Sequence, residues 1–257
     1  MKDIDETTAY RYSRQTIFKK MGPENQKKLF EAHVAIIGLG ALGSVIANNL
    51  CRAGVGHIRL IDQDHVDLSN LPRQVLFDEE DAAAKRPKAE AAFIHLSQIN
   101  SKTDLKPTVI HVDSSNIDEL IKGTDLVLDG SDNMEVRFVI NEACYKLNIP
   151  WIFGGVLGSG GNSMTIIPGE GPCLRCFVPN IPPPGTFPTC ATAGVLNMAS
   201  NIIASLESAE AIKVLIGSPD INRRIFVLDL WNNMAEYVDL SKDPNCPVCG
   251  RSGEWDA

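Results

Sequence analysis

An apolar run, His33-Val34-Ala35-Ile36-Ile37, leads directly into Gly38-Leu39-Gly40-Ala41-Leu42-Gly43, and a helix-favouring stretch follows from Ser44 to Ala53. This order of strand, glycine turn and helix constrains the fold more than any other feature. In such a turn the first glycine permits the tight bend, the second lets a phosphate approach the backbone, and the third lets helix and strand pack closely. Backbone N–H groups at the helix start then attract anions. Asp62 closes the next apolar segment, Ile58 to Ile61, nineteen residues after Gly43. A carboxylate there can accept hydrogen bonds from ribose hydroxyls. The turn alone does not separate a dinucleotide from ATP.

The pattern continues as an alternation. The sequence predicts a helix from Pro87 to about Ile99, a third strand over Thr108–Val112, and a short helix after a Ser115/Asp118 capping box. A fourth strand over Leu126–Asp129, a helix from about Met134 to Leu147 and a fifth strand over Trp151–Phe153 follow. Repeated βα units imply a parallel sheet with helices on both faces. After Gly160 the pattern changes to strands at Ser163–Ile167, Arg224–Leu230 and Met234–Leu240 around a long helix at 194–216. The expected fold class is α/β: a Rossmann-like, mostly parallel sheet continued by mixed or antiparallel strands. No linker separates independent units. The expectation is one domain over 1–257, with a nucleotide-binding half to about 155 and a second half from about 156.

Polar residues cluster where the parallel strands end. Asp62-Gln-Asp64-His-Val-Asp67-Leu-Ser-Asn70-Leu-Pro-Arg73-Gln74 puts acids, an amide and a cation on one loop, and Lys88 opens the next helix. Asp129-Gly-Ser-Asp132-Asn133 places two acids just past the fourth strand. Carboxylates there can hold Mg²⁺, while Arg73 and Lys88 can neutralise phosphate oxygens. All face the carboxyl edge of the sheet, the usual ligand side, and together favour a nucleoside triphosphate over NAD. An NAD-dependent oxidoreductase would explain the glycine turn and Asp62 but neither polar loop.

Cys173-Leu-Arg-Cys176 and Cys246-Pro-Val-Cys249 have the spacing of two halves of a Cys₄ zinc site, closed and structural. The 69 residues between them exceed a zinc ribbon, so a metal would join distant parts of one fold. The alternative, a redox pair, lacks a thioredoxin-like βα unit around either motif. Cys51 and Cys144 lie in helical stretches and suit packing. Cys190 follows the proline-rich segment Val178–Pro188 and precedes the long helix, a setting for either an accessible thiol of lowered pKa or a packing residue. The net charge of −8, without a basic block, argues against nucleic acid or an anionic membrane as partner. No apolar run is long enough to span a bilayer, and the first residues lack a signal-like core, so the cytoplasm is the expected location.

Arg11-Tyr-Ser-Arg14-Gln15, GLGALG, DQDHVDLSNLPRQ, RPKAE, LDGSDN, CLRC, TCATAGV and CPVCG, in that order from Tyr10 to Gly250, resemble the ThiF/MoeB/HesA family, prokaryotic relatives of ubiquitin-activating enzymes. The resemblance implies ATP-dependent adenylation of the C-terminal glycine of a small ubiquitin-like sulfur-carrier protein ending in Gly-Gly, by a homodimer holding a structural Zn²⁺. It implies that Gly38, Gly40, Ala41 and Gly43 hold the nucleotide with Asp64 and Asn133 beside it, and that Asp62 takes the ribose. It assigns phosphate contacts to Asn70, Arg73 and Lys88, and Mg²⁺ to Asp132. Arg14 would reach the partner subunit's ATP, and Cys190 would form a thioester or acyl-disulfide link with the carrier. A separate sulfurtransferase or cysteine desulfurase would supply sulfur for thiamine, molybdopterin or a related product. Ala41, Asn162 and Asn197 depart from the family pattern. A natural-product pathway, another carrier modification and a non-catalytic scaffold are the competing roles.

Overall fold

A computed structural model describes residues 5–181 and 190–250, the side chains of 190 and 191 excepted. Three short helices, α1 (Glu6–Arg11), α2 (Ser13–Thr16) and α3 (Gly22–Glu31), precede β1 (His33–Ile37). Then come α4 (Gly43–Ala53), β2 (His57–Ile61), a 3₁₀ turn at Leu68–Asn70, α5 (Glu79–Ala83), α6 (Lys88–Ile99), β3 (Asp104–Thr108), α7 (Ile117–Ile121) and β4 (Leu126–Asp129). They are followed by α8 (Met134–Lys146), β5 (Trp151–Leu157), β6 (Gly160–Ile166), α9 (Leu174–Phe177), α10 (Cys190–Ala193), α11 (Asn197–Ile216), β7 (Ile225–Asp229) and β8 (Met234–Val238). Among the described residues no helix is long and apolar enough to cross a membrane.

Among the described residues the strands form one sheet in the order β3-β2-β1-β4-β5-β6-β7-β8. The first five run parallel, and β6, β7 and β8 continue antiparallel from β5. The mixed sheet agrees with the expected fold class. Successive strand residues point to opposite faces, so β1 feeds two cores at once. Val34 and Ile36 pack with α4, α6 and α11, whereas Ala35 and Ile37 pack with α7 and α8. Fully buried Trp151, Phe138 and Leu60 each contribute roughly 1.5–3 kcal/mol by leaving water.

Strand order reverses between β1 and β4, which opens a crevice at their carboxyl ends. Three glycines meet there. Gly38 has φ +87°, and its N–H donates to Ile61 O at 2.8 Å. A Cβ on Gly43 would lie 1.8 Å from Gly38 O, and one on Gly130 would lie 2.2 Å from the same oxygen. The turns after β1 and β4 are therefore in backbone contact, and neither Gly43 nor Gly130 tolerates a side chain. Gly54, at φ +88°, ends α4 where the sequence placed the stop, and Tyr12 lies against it.

The structure corrects several boundaries. The third strand is Asp104–Thr108 rather than Thr108–Val112. Pro107 is tolerated within it because β3 is an edge, and in the register His57↔Asp104 the N position of residue 107 faces away from β2. No Ser115/Asp118 capping box forms. Asp113 Oδ1 instead accepts from Ser115 N at 2.8 Å and Ser115 Oγ at 2.6 Å, and Asn116 precedes the helix without capping it through its side chain. The long helix starts three residues later than expected, at Asn197, with Gly194 at φ +74° between it and α10. Trp151–Phe153 extends to Leu157 and pairs with β6, because glycines between 154 and 161 let two backbones run close.

Replacing Gly130 by Ala is expected to destabilise the fold by at least about 2 kcal/mol in urea unfolding, since both close neighbours are backbone. Gly169→Ala, at a glycine whose added Cβ meets nothing, is the control; its cost comes only from φ +82°.

Candidate nucleotide site and cysteine cluster

The crevice is the mouth of a cavity of about 1080 Å³. Gly38, Gly40, Ala41, Asp62, Asp64, Asn70, Arg73, Lys88, Asp132 and Asn133 all line it. Ten positions chosen from sequence thus converge on one space. Gly43 does not line it; it is the first residue of α4 and packs against the turn.

Asp62 is 8% exposed, and its carboxylate is held by backbone donors. Leu39 N–H donates to Oδ2 at 2.6 Å and Asp64 N–H to Oδ1 at 2.7 Å. Burial pushes its pKa up, against the pull of Lys88 and of those two N–H groups. Lys88 is buried at the start of α6, its N–H bonded to Asp64 O and its Nζ 3.0 Å from Asp64 Oδ2. Arg73 is half-buried and donates to Ser69 O at 2.8 Å, one turn back. Asn70 Oδ1 accepts from Asp67 N–H at 3.2 Å and so shapes the loop that carries Arg73. Across the crevice Asp132 is exposed, and Asn133 caps α8 by accepting from Val136 N–H at 2.9 Å. Two cations and a carboxylate on opposite walls can receive a polyphosphate and its metal.

Three residues in or under the cavity had no role assigned from sequence. Gln74 is 3% exposed and lines the wall beside Gly40. Arg137 lines the floor. Its Nε donates to Asp129 Oδ2 at 2.9 Å, and its Nη2 donates to Ser131 O and Gly154 O, each at 2.8 Å. Asp129 is fully buried and also accepts from Ser131 N and Oγ. Glu207 is fully buried on α11, with neither oxygen hydrogen-bonded among the described residues. An acid at 207 on the stripe Ser200, Ile203, Ala204, Ser208, Ala211 was the available signal.

Arg14 is exposed on α2 and does not line this chain's cavity. Cys190 opens α10; its side chain lies outside the described residues, while Ala193, at the end of the same turn, lines the cavity. Beyond the phosphate region the cavity runs along the β5–β6 hairpin past Gly155, Gly158, Gly160 and Gly161.

Cys173, Cys176, Cys246 and Cys249 converge on one point, all sulfurs within 4.8 Å of one another. Sγ–Sγ is 3.6 Å for Cys173–Cys246 and 3.3 Å for Cys176–Cys249. Four thiolates about 2.3 Å from one tetrahedral centre sit about 3.8 Å apart, so the donor set fits a thiophilic ion. Gly250 closes the second knuckle with no room for a Cβ, which would lie 2.5 Å from Pro244 O. Burial and the neighbouring Cys246 sulfur push Cys173 up to about 11. Cys246 also feels burial, but N–H groups of Cys249 and Val248 bring it down to about 7. Crowded sulfurs resist a second negative charge, and a bound cation removes that resistance. Cys51 and Cys144 are buried, as packing residues should be.

Fold and crevice together define a nucleotide-binding α/β protein with a cysteine-tied second half. The match to the ThiF family model spans residues 12–248, and the chain belongs to the ThiF family. It is 41% identical over 242 residues to the sulfur carrier protein ThiS adenylyltransferase of Bacillus subtilis, covering 93% of this chain and 71% of that one. It is 36% identical over 251 residues to the SAMP-activating enzyme E1 of Haloferax volcanii, covering 97% and 92%. A crystal structure of E. coli MccB with ATP superposes with a TM-score of 0.81 at 24% identity, over 93% of this chain and 74% of that chain.

Cys249→Ser is expected to lower the content of bound thiophilic metal at least tenfold, or about 1.4 kcal/mol of binding, as read by elemental analysis of the purified protein. Cys144→Ser, at a buried thiol outside the cluster, should leave the metal content unchanged.

Proposed function

We propose that this protein adenylates the C-terminal glycine of a small ubiquitin-like sulfur-carrier protein, releasing pyrophosphate. The observation that carries the reading is the single cavity in which a glycine turn, Arg73, Lys88 and Asp132 meet a glycine-lined hairpin. The turn and Asp62 would take the adenosine and ribose, and the hairpin channel would take an extended Gly-Gly tail. The kinship with ThiS and SAMP activators supports the same substrate class.

A terminal carboxylate is ionised at neutral pH, with an ordinary pKa near about 3.5, so no general base is needed. The barrier is the approach of one anion to another. The carboxylate oxygen bonds to the α-phosphorus, and the oxygen bridging to the β-phosphate leaves with pyrophosphate. Arg73 and Lys88 would neutralise the phosphate oxygens, and Arg14 of a second copy would add a third cation. Mg²⁺ held by Asp132 would supply further charge neutralisation. Exposed Tyr10, Ile17, Phe18, Met198 and Ile202 support a homodimer that brings Arg14 across. Zn²⁺ in the four-cysteine cluster would be structural, because four thiolates fill its coordination.

Cys190, carrying a sulfur atom delivered by a separate sulfurtransferase or cysteine desulfurase, would then attack the acyl carbon as AMP leaves, and a thiol reductant would cleave the resulting acyl disulfide to a thiocarboxylate and free Cys190, in thiamine, molybdopterin or a related pathway in the cytoplasm. The chain would act as one functional domain, because its sheet runs unbroken from β3 to β8.

Wild-type protein with a Gly-Gly carrier is expected to exchange labelled pyrophosphate into ATP, and Asp132→Ala to lower that exchange about 100-fold or more. No exchange with any Gly-Gly carrier would sink the reading. Mixing Arg14→Ala with Lys88→Ala subunits should restore part of the activity that each lacks alone; failure to complement removes the trans role of Arg14.

A further inference from the structure

Glu207 is the one fully buried acid that the proposed chemistry leaves unused and that has no hydrogen-bond partner among the described residues. It rises from α11 beneath β5. A Cβ at Gly154 would lie 1.9 Å from Glu207 Oε1 and 2.5 Å from its carboxyl carbon. Gly154 is therefore the notch that admits this carboxyl to the sheet. The carbonyl of the same Gly154 accepts from Arg137 Nη2 at 2.8 Å.

Among the described residues the charged groups that face Glu207 are Asp129, at the end of β4, and Arg137, on α8. On the helix side α4 presents Asn49, whose amide is bonded to Ser208, and β5 presents the bare Gly154. Two fully buried acids thus share one guanidinium, which itself reaches the cavity floor. Asp129 holds it: Nε is 2.9 Å from Oδ2, and the other carboxylate oxygen accepts from Ser131. Ionising two buried acids against one cation leaves an uncompensated charge, which low dielectric penalises heavily. Glu207 has neither the salt bridge nor a backbone donor, so it is the acid that stays neutral.

We propose that Arg137 is a positioning residue that clamps the Ser131–Asp132 loop to the Gly154 strand, and that Glu207 is kept as an uncharged acid beneath that strand so that Asp129 retains Arg137. The clamp links two walls of the cavity. One is the loop that carries Asp132, and the other begins the glycine-lined hairpin. Arg137 suits the position because its planar fork donates in three directions, to Asp129, to Ser131 O and to Gly154 O. Its ring contact adds to this, with the guanidinium carbon 5.1 Å from the centre of Phe153. Were Glu207 to ionise, Arg137 would be drawn toward a second anion, and the loop would lose its fixed carbonyl contact. Only this consequence for catalysis rests on the adenylation reading.

Burial and the nearby Asp129 raise the Glu207 pKa well above its ordinary 4.5, with Arg137 opposing. The folded state then binds a proton that the unfolded chain releases. Stability from this site is complete below about pH 4.5 and declines as pH rises toward the folded-state value.

The test compares Glu207→Gln with wild type in thermal unfolding from about pH 5 to about pH 9. The melting temperature of the variant relative to wild type is expected to climb steadily with pH. Parallel curves would overturn the neutral Glu207. Amide hydrogen exchange measured by mass spectrometry tests the clamp. Arg137→Gln should speed exchange in the peptide 129–134 by about tenfold or more, with β1 peptides unaffected. Should β1 peptides also open, the milder Arg137→Lys decides, and unchanged loop protection in that variant overturns the clamp. In the pyrophosphate-exchange assay, wild-type activity is expected to decline on the alkaline side and Glu207→Gln to flatten that decline, a change a purely structural role would not produce; a wild type without the decline would overturn the link to catalysis. An inactive wild type would count against adenylation and leave the unfolding and hydrogen-exchange outcomes decisive.

Discussion

The backbone contact among Gly38, Gly43 and Gly130 is the constraint on which the rest depends. It forces the turn after β1 against the turn after β4 at the place where strand order reverses. That contact sets the width of the crevice. It leaves Gly40, Ala41 and Leu42 lining the cavity and carries the Ser131–Asp132 loop to the opposite wall from Arg73 and Lys88. A single methyl group at either of two positions would push the walls apart, and the arrangement of charge across the cavity would be lost with them.

Electrostatics in this acidic chain is arranged by placement rather than by total charge. The chain carries a net −8, yet Lys88 and Arg73 border the phosphate region while Arg137 lies under it. Each cation is tethered before any ligand arrives: Lys88 to Asp64, Arg73 to Ser69 O, and Arg137 to Asp129. Tethering lowers the entropy lost when a polyphosphate binds and keeps the guanidinium and ammonium groups within reach of it.

The parallel strands and the polar loops at their carboxyl ends were legible in the sequence because their signals are local. A glycine turn between an apolar strand and a helix, and polar residues just past strand ends, define position and chemistry together; the cysteine pairs are equally explicit. The unread features depend on long-range neighbours. Pro107 sits in a strand because β3 is an edge, which no window around residue 107 reveals. Arg137 is one charge in a helical stretch, and its partners Asp129, Ser131 and Gly154 come together only in the fold. Glu207 is one of several polar residues along α11, and nothing near it in the sequence marks Gly154 as its neighbour. The N-terminal helices were missed because α1 and α2 bury no residue, their anchoring falling to Tyr12 between them.

The meeting of the two cysteine pairs brings the two ends of residues 177–245 together. That stretch holds α11, which packs on the sheet, and β7 and β8, which extend it. An ion held by the four sulfurs would close those residues into one loop, and a cross-link stabilises mainly by restricting the unfolded chain. Its effect would therefore reach the last two strands of the sheet, although neither carries one of the four cysteines.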